Sequence, residues 1–216
     1  NAVDKSGQGN TGYLTNFTST TTVAGKIGQA LEFDGTDDYV DIGTGPTSVN
    51  TVAFWVYPNT TTEYFINLTG TTDYIWVNAG TVTATGLTSP TIYVNGTVSS
   101  VLIANEWQHV TVVTDTSENA SNLDIGRTQN TNYHDGVIDD VRMYDRALSA
   151  TEVKRLYELG GTTHVNTSVN TTDLEDGLVG YWTFDGPHLK ENAVDKSGQG
   201  NTGYLTNFTS TTTVAG

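Results

Sequence analysis

The sequence predicts an all-β fold, an antiparallel two-sheet jelly-roll sandwich with one short C-terminal helix. Thr, Val, Tyr, Ile, Gly and Asn are abundant, whereas the helix formers Lys, Ala and Met are sparse. About ten short segments alternate apolar with polar residues between turns, which is typical of a sandwich or jelly roll. A chain of 216 residues is also long enough to bury a substantial core.

The predicted strands follow one another along most of the chain. They are Gln29–Phe33, Tyr39–Ile42, Thr51–Tyr57, Glu63–Leu68, Asp73–Asn78, Thr81–Thr85, Thr91–Val94, Val98–Ile103, Trp107–Thr114, Ala120–Ile125 and Gly136–Tyr144. Thr51–Tyr57 is almost entirely apolar or aromatic, which indicates a central strand. Asn95-Gly96 directly follows Thr91–Val94 and is a strong hairpin signal.

One helix is predicted after the last of these strands, over Ser149–Leu159. Ser149 and Glu152 have the spacing of a capping box, in which each side chain accepts a hydrogen bond from the other residue's backbone N–H. Val153 and Leu156 then fall on one helix face, and Gly160 is suited to end the helix.

The first 25 residues recur at the end of the chain. Asn1–Gly25 and Asn192–Gly216 are identical, and the two copies are offset by 191 residues. Self-similarity at a fixed period is typical of an array of equal units. One domain has one place for each of its segments, so we expect one of the two copies to lie in a neighbouring unit.

Charge and composition exclude several kinds of partner. The formal net charge of −15 disfavours nucleic acid and anionic membrane surfaces and is compatible with cation binding. There is no cysteine, which excludes disulfides and thiolate sites. No apolar run approaches the ~20 residues that span a bilayer, so no membrane insertion is expected.

Several potential glycosylation sites point to an extracellular, cell-surface glycoprotein. The sequon asparagines are Asn16, Asn59, Asn67, Asn95, Asn119, Asn166, Asn170 and Asn207. A chain this rich in Asn and Thr also forms some sequons by chance.

Several motifs together resemble one family, the laminin G-like or concanavalin A-like lectin/glucanase jelly-roll domains. The matching segments, in the family's cyclic order, are 177–186, 4–14, 25–42, 106–113, 123–127 and 136–160. In that family the domain begins at the strand that matches Gly177–Phe184 and ends at the helix that matches Ser149–Leu159. The resemblance implies the jelly-roll fold over nearly the whole period of 191 residues.

This order divides the chain into three parts. Residues 1–160 are predicted to be a jelly-roll domain without its first strand, 161–176 a polar linker, and 177–216 the first strand and following loop of the next repeat. The residues expected to mediate assembly are Leu178, Val179, Tyr181, Trp182 and Phe184. Three arrangements stay open: a covalent tandem, donation of the strand to a neighbouring subunit, and a strand that folds back into its own domain.

A calcium site is the strongest candidate for ligand chemistry. The turn from Asp4 to Asn10, repeated as Asp195 to Asn201, combines acidic, amide and glycine residues that offer oxygen ligands. Asp139 and Asp140 face opposite sides of one strand, and the resemblance implies that one of them shares a structural Ca²⁺ with this turn. Ordinary Asx-turn hydrogen bonding is the alternative. The pair Asp37-Asp38 is a second metal candidate.

A sugar-binding face is the other candidate site. Most of the four tryptophans lie in apolar strands and are expected in the core. Trp76 differs, because Tyr74 and Asn78 lie at a spacing of two on either side of it and share its sheet face. These three residues are the predicted carbohydrate-binding set.

Catalysis is not expected. The chain has no nucleophile elbow, no zinc-binding His pair and no clustered strand carboxylates of the glucanase type. The predicted function is a structural repeat unit of an extracellular filament, stalk or adhesin-like surface protein, assembled head-to-tail from copies of itself. The alternative is a calcium-dependent, lectin-like module that binds glycans.

Overall fold

The computed structural model describes residues 1–18, 21–161 and 172–185. In these residues two antiparallel sheets pack face to face as a sandwich, and a helix of 12 residues covers part of one sheet. The predicted fold class is therefore confirmed.

The strands are short and follow one another closely. In chain order they are β1 (Tyr13–Thr15), β2 (Thr22–Ala24), β3 (Gln29–Asp34), β4 (Tyr39–Gly43), β5 (Val49–Pro58), β6 (Glu63–Asn67), β7 (Tyr74–Asn78), β8 (Thr81–Thr85), β9 (Thr91–Val94), β10 (Thr97–Val98), β11 (Gln108–Glu118), β12 (Leu123–Ile125), β13 (Arg127–Thr128), β14 (Asn132–Tyr133), β15 (Asp135–Tyr144) and β16 (Leu178–Trp182). The helices are α1 (Ala150–Gly161) and α2 (Thr172–Glu175).

Two sheets and one hairpin contain all of these strands. The six-stranded sheet has the order β1-β4-β12-β6-β7-β8. The eight-stranded sheet has the order β10-β9-β11-β5-β15-β3-β2, and β16 pairs with β15 in addition. The hairpin β13–β14 packs against the six-stranded sheet, where it contacts β6 and β7.

Strand β5 is the central strand that the sequence predicts, and both of its faces are buried. Phe54 and Val56 point into the core between the two sheets. Ala53 and Trp55 point the other way, towards α1, where the Trp55 ring centroid lies 5.6 Å from that of Tyr157. This double burial explains why the strand is apolar at consecutive positions instead of alternating.

Local signals also predict the ends of two elements correctly. Asn95 and Gly96, between β9 and β10, have positive φ angles of 52° and 74°, as the Asn-Gly hairpin turn requires. At the start of α1, the Ser149 backbone N–H donates to Glu152 Oε2 at 2.8 Å, and the Glu152 N–H donates to Ser149 Oγ at 3.4 Å. The predicted capping box is therefore present.

The predicted strand Val98–Ile103 is wrong. Strand β10 ends at Val98, and Val101 makes only an isolated bridge to Thr81. Val98, Val101 and Ile103 are exposed, whereas Leu102 is buried. The apolar residues here do not share one buried face, so a strand across the whole segment would gain little from burial.

Strand β16 pairs with β15 of its own chain. Val141 lies opposite Trp182, and Met143 lies opposite Gly180. Trp182 and Phe184 are buried in the core between the sheets. Of the three arrangements left open by the sequence, the described chain has the one in which the strand folds back.

The other predicted assembly residues lie around this strand. Leu178 and Val179 are partly buried, and the Tyr181 ring lies under the Arg142 guanidinium at 4.2 Å. Helix α2 falls within the predicted linker, and its Leu174 is buried. The rest of the linker, 162–171, and residues 186–216 lie outside the described residues. Use of β16 by a neighbouring copy stays a prediction.

A buried histidine predicts how stability depends on pH. His109, packed between Trp55 and Tyr157, has its pKa lowered to about 3 by burial and by the charge of Arg142. The unfolded chain takes up this proton near pH 6.5, while the folded chain does not. His109 therefore does not lower the free energy of unfolding above pH 6.5. Between pH 6.5 and pH 3 it lowers that free energy progressively, because the unfolded chain binds the proton and the folded chain does not.

We expect His109→Gln to flatten this dependence. Between pH 7 and pH 4.5 the wild type should lose about 2 kcal/mol more unfolding free energy than the variant, measured by urea denaturation. Comparing the two proteins at both pH values cancels the contribution of the carboxylates. If both proteins lose the same unfolding free energy between the two pH values, the lowered pKa of His109 is not the cause of the pH dependence.

Candidate functional site

The outer face of the six-stranded sheet, which points away from the core, carries polar and aromatic side chains. The strand register places one residue from each of five successive strands in a row: Tyr13, Asp41, Asp124, Asn67 and Tyr74. Their strand neighbours Val40 and Ile75 point into the core, because side chains alternate between the faces of a strand. Asn67 and Asp124, in the middle of this row, are fully buried, whereas Asp41 and Tyr74 are half-buried and Tyr13 is exposed.

Three aromatic rings at one end of this face form what we call the aromatic platform: Tyr64, Tyr74 and Trp76. The rings of Tyr64 and Trp76 are nearly parallel, at 6°, with centroids 5.8 Å apart. The centroid of Tyr74 lies 6.4 Å from that of Trp76. All three residues are half-buried.

Hydrogen bonds hold the platform in place. Trp76 Nε1 donates to Thr85 Oγ1 at 3.0 Å on the adjacent strand. Gln129 Nε2, from the turn of the β13–β14 hairpin, donates to the Tyr74 hydroxyl at 2.8 Å. The rings therefore sit on rigid strands and are oriented by neighbouring polar groups.

A buried ion pair lies beside the platform. Arg127 donates from Nη2 and Nε to Asp124 Oδ2, at 2.8 Å and 3.2 Å. Asp124 is fully buried, and burial raises its pKa despite the opposing effect of the Arg127 charge. Asp124 Oδ1 and the Oδ1 of the neighbouring Asn67 have no hydrogen-bond partner in the described chain.

Arg127 also connects this ion pair to a second aromatic group. Its guanidinium lies 3.6 Å from the centre of the Tyr39 ring, and Tyr133 lies 6.4 Å from Tyr39. Asp124 and Tyr39 together fix the position of Arg127 on the outer face. The face therefore combines two groups of aromatic rings with a cation, amides and carboxylates between them.

Sequence reasoning found part of this site. Trp76 and Tyr74 belong to the platform as predicted, and Asn78 lies exposed at the end of the same strand. It missed Tyr64, Arg127 and Gln129, which come from other segments. Tyr64 lies beside Trp76 only because β6 pairs with β7 in one particular register. A single sequence does not reveal that register.

The other tryptophans do not reach this face. Trp55 and Trp182 are buried, as the core prediction expects. Trp107 is half-buried against Tyr57, with ring centroids 5.9 Å apart.

The predicted calcium turn is held by its own hydrogen bonds. The carboxylate of Asp4 accepts bonds from the backbone N–H groups of Ser6, Asn10 and Tyr181, at 2.8 to 2.9 Å. Asn10 Nδ2 donates to the carbonyl of Val179 at 2.8 Å. These residues thus tie the turn to β16, which agrees with the Asx-turn alternative. Asp195 and Asn201 lie outside the described residues.

Asp139 and Asp140 have different environments, although they are adjacent. Asp140 pairs with Arg142 at 3.1 Å, and Arg142 also donates to the Tyr181 hydroxyl at 2.8 Å. Asp139 is fully buried and has no cationic partner in the described chain; its Oδ2 accepts the N–H of Ile27 at 2.8 Å, and its Oδ1 has no partner there. Burial, together with the negative charges of Asp140 and Asp185, raises the pKa of Asp139 to about 8.

A turn at residues 25–28 separates Asp139 from Asp185. Asp185 Oδ1 accepts the N–H of Gln29 at 2.6 Å. A Cβ at Gly25 would lie 2.6 Å from Asp139 Oδ2, so only glycine allows this approach. Sequence reasoning missed Asp185, because only the pairing of β16 with β15 brings it to Asp139.

Asp139 and Asp185 each offer carboxylate oxygens, the kind of ligand that hard cations such as Ca²⁺ bind. The unpartnered Asp139 Oδ1 is a hard oxygen donor, and Asp185 supplies a second carboxylate. A bound cation would neutralise the repulsion between them. Asp139 of the predicted metal set is therefore a candidate ligand together with Asp185, whereas Asp140 already has a cationic partner.

A second acidic group lies in the turn between β3 and β4. The carboxylates of Asp34, Asp37 and Asp38 lie within 4.8 Å of one another. Asp38 is buried, and burial and the charge of Asp34 raise its pKa. This triad includes the second predicted metal candidate, and it could hold a metal ion.

The sequons differ in accessibility. Asn16, Asn59 and Asn119 are exposed, and Asn95 is half-buried in its hairpin turn. Asn67 is fully buried, and its Nδ2 donates to the Asn122 carbonyl at 2.9 Å. A glycan at Asn67 is therefore incompatible with the folded chain. Asn166, Asn170 and Asn207 lie outside the described residues.

Comparison with known proteins supports the fold. A family profile, the concanavalin A-like lectin/glucanases superfamily, matches residues 114–154. Among solved structures, the chain is similar to domain 4 of AbnA, a GH43 extracellular arabinanase from Geobacillus stearothermophilus, in complex with arabinotriose. The two are 19% identical with a TM-score of 0.51, over 73% of this chain and 93% of that one.

The comparison with curated protein sequences finds no match. At this identity the structural likeness shows the fold alone, a sandwich of two antiparallel sheets. None of the helices within residues 1–18, 21–161 and 172–185 is long and apolar enough to span a bilayer.

The calcium assignment predicts a specific response of thermal stability. A saturating Ca²⁺ concentration should raise the melting temperature of the wild type by about 5–10 °C over the chelated protein, because only the folded chain forms the site. Asp139→Asn should abolish this shift. In chelator near neutral pH the variant should be about as stable as the wild type, because the neutral amide replaces a carboxyl of similar size that its raised pKa of about 8 keeps largely protonated.

Asp37→Asn, in the acidic triad, is the matched control and should keep the response. If only Asp37→Asn loses the calcium-dependent rise in melting temperature, the calcium site is the acidic triad and not Asp139. A wild type that melts at the same temperature with and without Ca²⁺ would contradict both.

Proposed function

We propose that this concanavalin A-like jelly-roll domain binds carbohydrate on the outer face of its six-stranded sheet. The observation that carries the proposal is the aromatic platform of Tyr64, Tyr74 and Trp76, held beside a row of polar side chains. Binding without catalysis is proposed.

The platform suits the apolar face of a sugar ring. The C–H groups on one side of a pyranose or furanose pack against aromatic rings, whose faces are apolar and carry partial negative charge. Tyr64 and Trp76 are nearly parallel and are fixed on paired strands, so little side-chain entropy is lost on binding.

The neighbouring polar groups suit the hydroxyls of the same ligand. Asp41 accepts hydrogen bonds and Arg127 donates them. Gln129 and Asn132 both donate and accept, and Asn132 Nδ2 lies beside Gln129, to whose Oε1 it donates at 3.1 Å. Asp124 acts as a positioning residue, because its buried carboxylate holds the Arg127 guanidinium in one orientation. A few polar groups around an aromatic surface are the usual composition of a small-ligand site.

Asn67 and Asp124, in the middle of the row across the strands, are fully buried and do not contact a ligand. The polar groups that a ligand meets beside the platform are those of the half-buried Arg127 and Gln129. The similar arabinanase domain was determined with arabinotriose, which supports an oligosaccharide as the class of ligand.

Calcium would support this function indirectly. Asp139 lies on β15 of the eight-stranded sheet, whereas the proposed sugar surface belongs to the other sheet. A Ca²⁺ at Asp139 and Asp185 would therefore stabilise the sandwich without touching the sugar. We propose an extracellular, cell-surface location, in keeping with the exposed sequons Asn16, Asn59 and Asn119.

A second function, head-to-tail assembly into an extracellular filament, stalk or adhesin-like array, is favoured by one observation. The identity of residues 1–25 and 192–216 is the sequence feature of a repeat unit. Binding of sugar and assembly are compatible, because a repeated lectin-like unit gains avidity from multiple copies.

The sugar-binding proposal is tested by Trp76→Ala. Wild-type protein should bind arabinotriose or another oligosaccharide of a glycan panel, and the variant should bind it at least about tenfold more weakly, because the central ring is lost. Isothermal titration calorimetry gives both affinities, and circular dichroism verifies the fold.

Trp107→Ala is the matched control, since Trp107 is also half-buried but lies against Tyr57, which is not part of the platform. It should keep wild-type affinity. The proposal fails if no oligosaccharide binds the wild type, or if Trp76→Ala binds as tightly as the wild type.

A further inference from the structure

The surface that holds residues 1–25 has two candidate occupants in one chain. Residues 192–216 are identical to residues 1–25, so they carry every side chain and backbone group that makes contacts there. We call the surface formed by β3, β4 and β16 the docking surface. It does not include the proposed aromatic platform, and the inference does not depend on sugar binding.

Specific hydrogen bonds fasten the first copy to β16. The Tyr181 N–H donates to Asp4 Oδ1 at 2.9 Å, and Trp182 Nε1 donates to the Asn10 carbonyl at 2.9 Å. Asn10 Nδ2 donates to the Val179 carbonyl at 2.8 Å. The corresponding residues of the second copy are Asp195 and Asn201.

The remaining contacts of the first copy are made by edge strands. β1 pairs with β4 at one end of the six-stranded sheet, and β2 pairs with β3 at one end of the eight-stranded sheet. Leu14 and Phe17 pack on the core from this position. An edge strand can be exchanged for an identical one without opening the interior of either sheet.

The second copy is close enough to reach the docking surface. Asp195 follows Asp185 by ten residues, which span up to about 33 Å when extended. The bond that Asp195 would accept, from Tyr181, lies only four residues before Asp185, at most about 14 Å away. A short tether of this kind gives a high effective concentration.

We propose that the docking surface is shared, and that residues 192–216 replace residues 1–25 there within the same chain. Both copies have the same intrinsic affinity for the surface, so only their tethers differ. The exchange releases residues 1–25 with the edges of β1 and β2 unpaired.

A double-mutant cycle in the full chain tests the exchange. The variants are Asp4→Ala, Asp195→Ala and the combination of both. Each single variant should melt within about 2 °C of the wild type, because the intact copy docks instead, whereas the double variant should melt about 5–10 °C lower. Asp115→Ala, at an exposed position of β11, is the control for the loss of one charge.

Three results would overturn the proposal. One is an Asp4→Ala variant that melts as low as the double variant, since Asp195 would then play no part. Another is an additive loss in the two single variants, which would mean two separate sites. The third is a double variant that melts like the wild type.

Disulfide trapping identifies the occupant directly, because the chain contains no cysteine. Tyr13 is the strand partner of Asp41, and Tyr204 is its counterpart in the second copy. In redox buffer, Asp41→Cys with Tyr204→Cys should form an intramolecular disulfide with an effective concentration within about tenfold of Asp41→Cys with Tyr13→Cys.

The control carries the same two cysteine substitutions with the order of the other residues in 192–216 scrambled, and it should lose most of this disulfide. The absence of a disulfide between positions 41 and 204, or equal trapping in the scrambled control, would overturn the proposal. Disulfide-linked oligomers in place of the intramolecular product would also overturn it, in favour of exchange between copies.

Discussion

Strand β15 completes its ladder only when β16 lies against the part of its edge that β3 leaves free. One side of β15 pairs with β5 along most of its length. On the other side, β3 pairs with residues 135–138 and β16 with residues 141–144. Without β16, the backbone groups of this central strand would lose their partners, and the space filled by Trp182 and Phe184 would open.

Other features of the molecule depend on the same pairing. β16 carries Asp185 to the neighbourhood of Asp139, which creates the two-carboxylate site proposed for calcium. It also supplies the backbone groups of Val179 and Tyr181 that hold Asn10 and Asp4. A single strand from the end of the described chain therefore links the sheet, the candidate metal site and the N-terminal segment.

The proposed sugar surface is built by a different constraint, the alternation of side chains in the six-stranded sheet. One face of β7 supplies Ile75 and Val77 to the core, so Tyr74 and Trp76 must face outward. Pairing with β6 then adds Tyr64, and the β13–β14 hairpin adds Arg127 and Gln129. Binding groups held on paired strands have little freedom to rearrange, which favours a preformed surface.

The sequence predicts the features that depend on neighbouring residues. The apolar run of β5, the Asn95-Gly96 turn and the Ser149–Glu152 capping box are each encoded within a few positions. It does not predict which distant segments meet. The Tyr64–Trp76 pair and the approach of Asp185 to Asp139 depend on strand register, which no short pattern encodes. The strand predicted over Val98–Ile103 is wrong, because the apolar composition of the segment did not reveal that Leu102 is its only buried residue.

The most direct test of this account is the thermal unfolding of two shortened chains. One ends at residue 185 and keeps β16; the other ends at residue 176 and lacks it. We expect the chain of residues 1–185 to unfold cooperatively at the temperature of the full chain, and residues 1–176 to lose cooperative unfolding because the sandwich is left open. Equal melting temperatures for the two shortened chains would contradict the claim that β16 completes the fold.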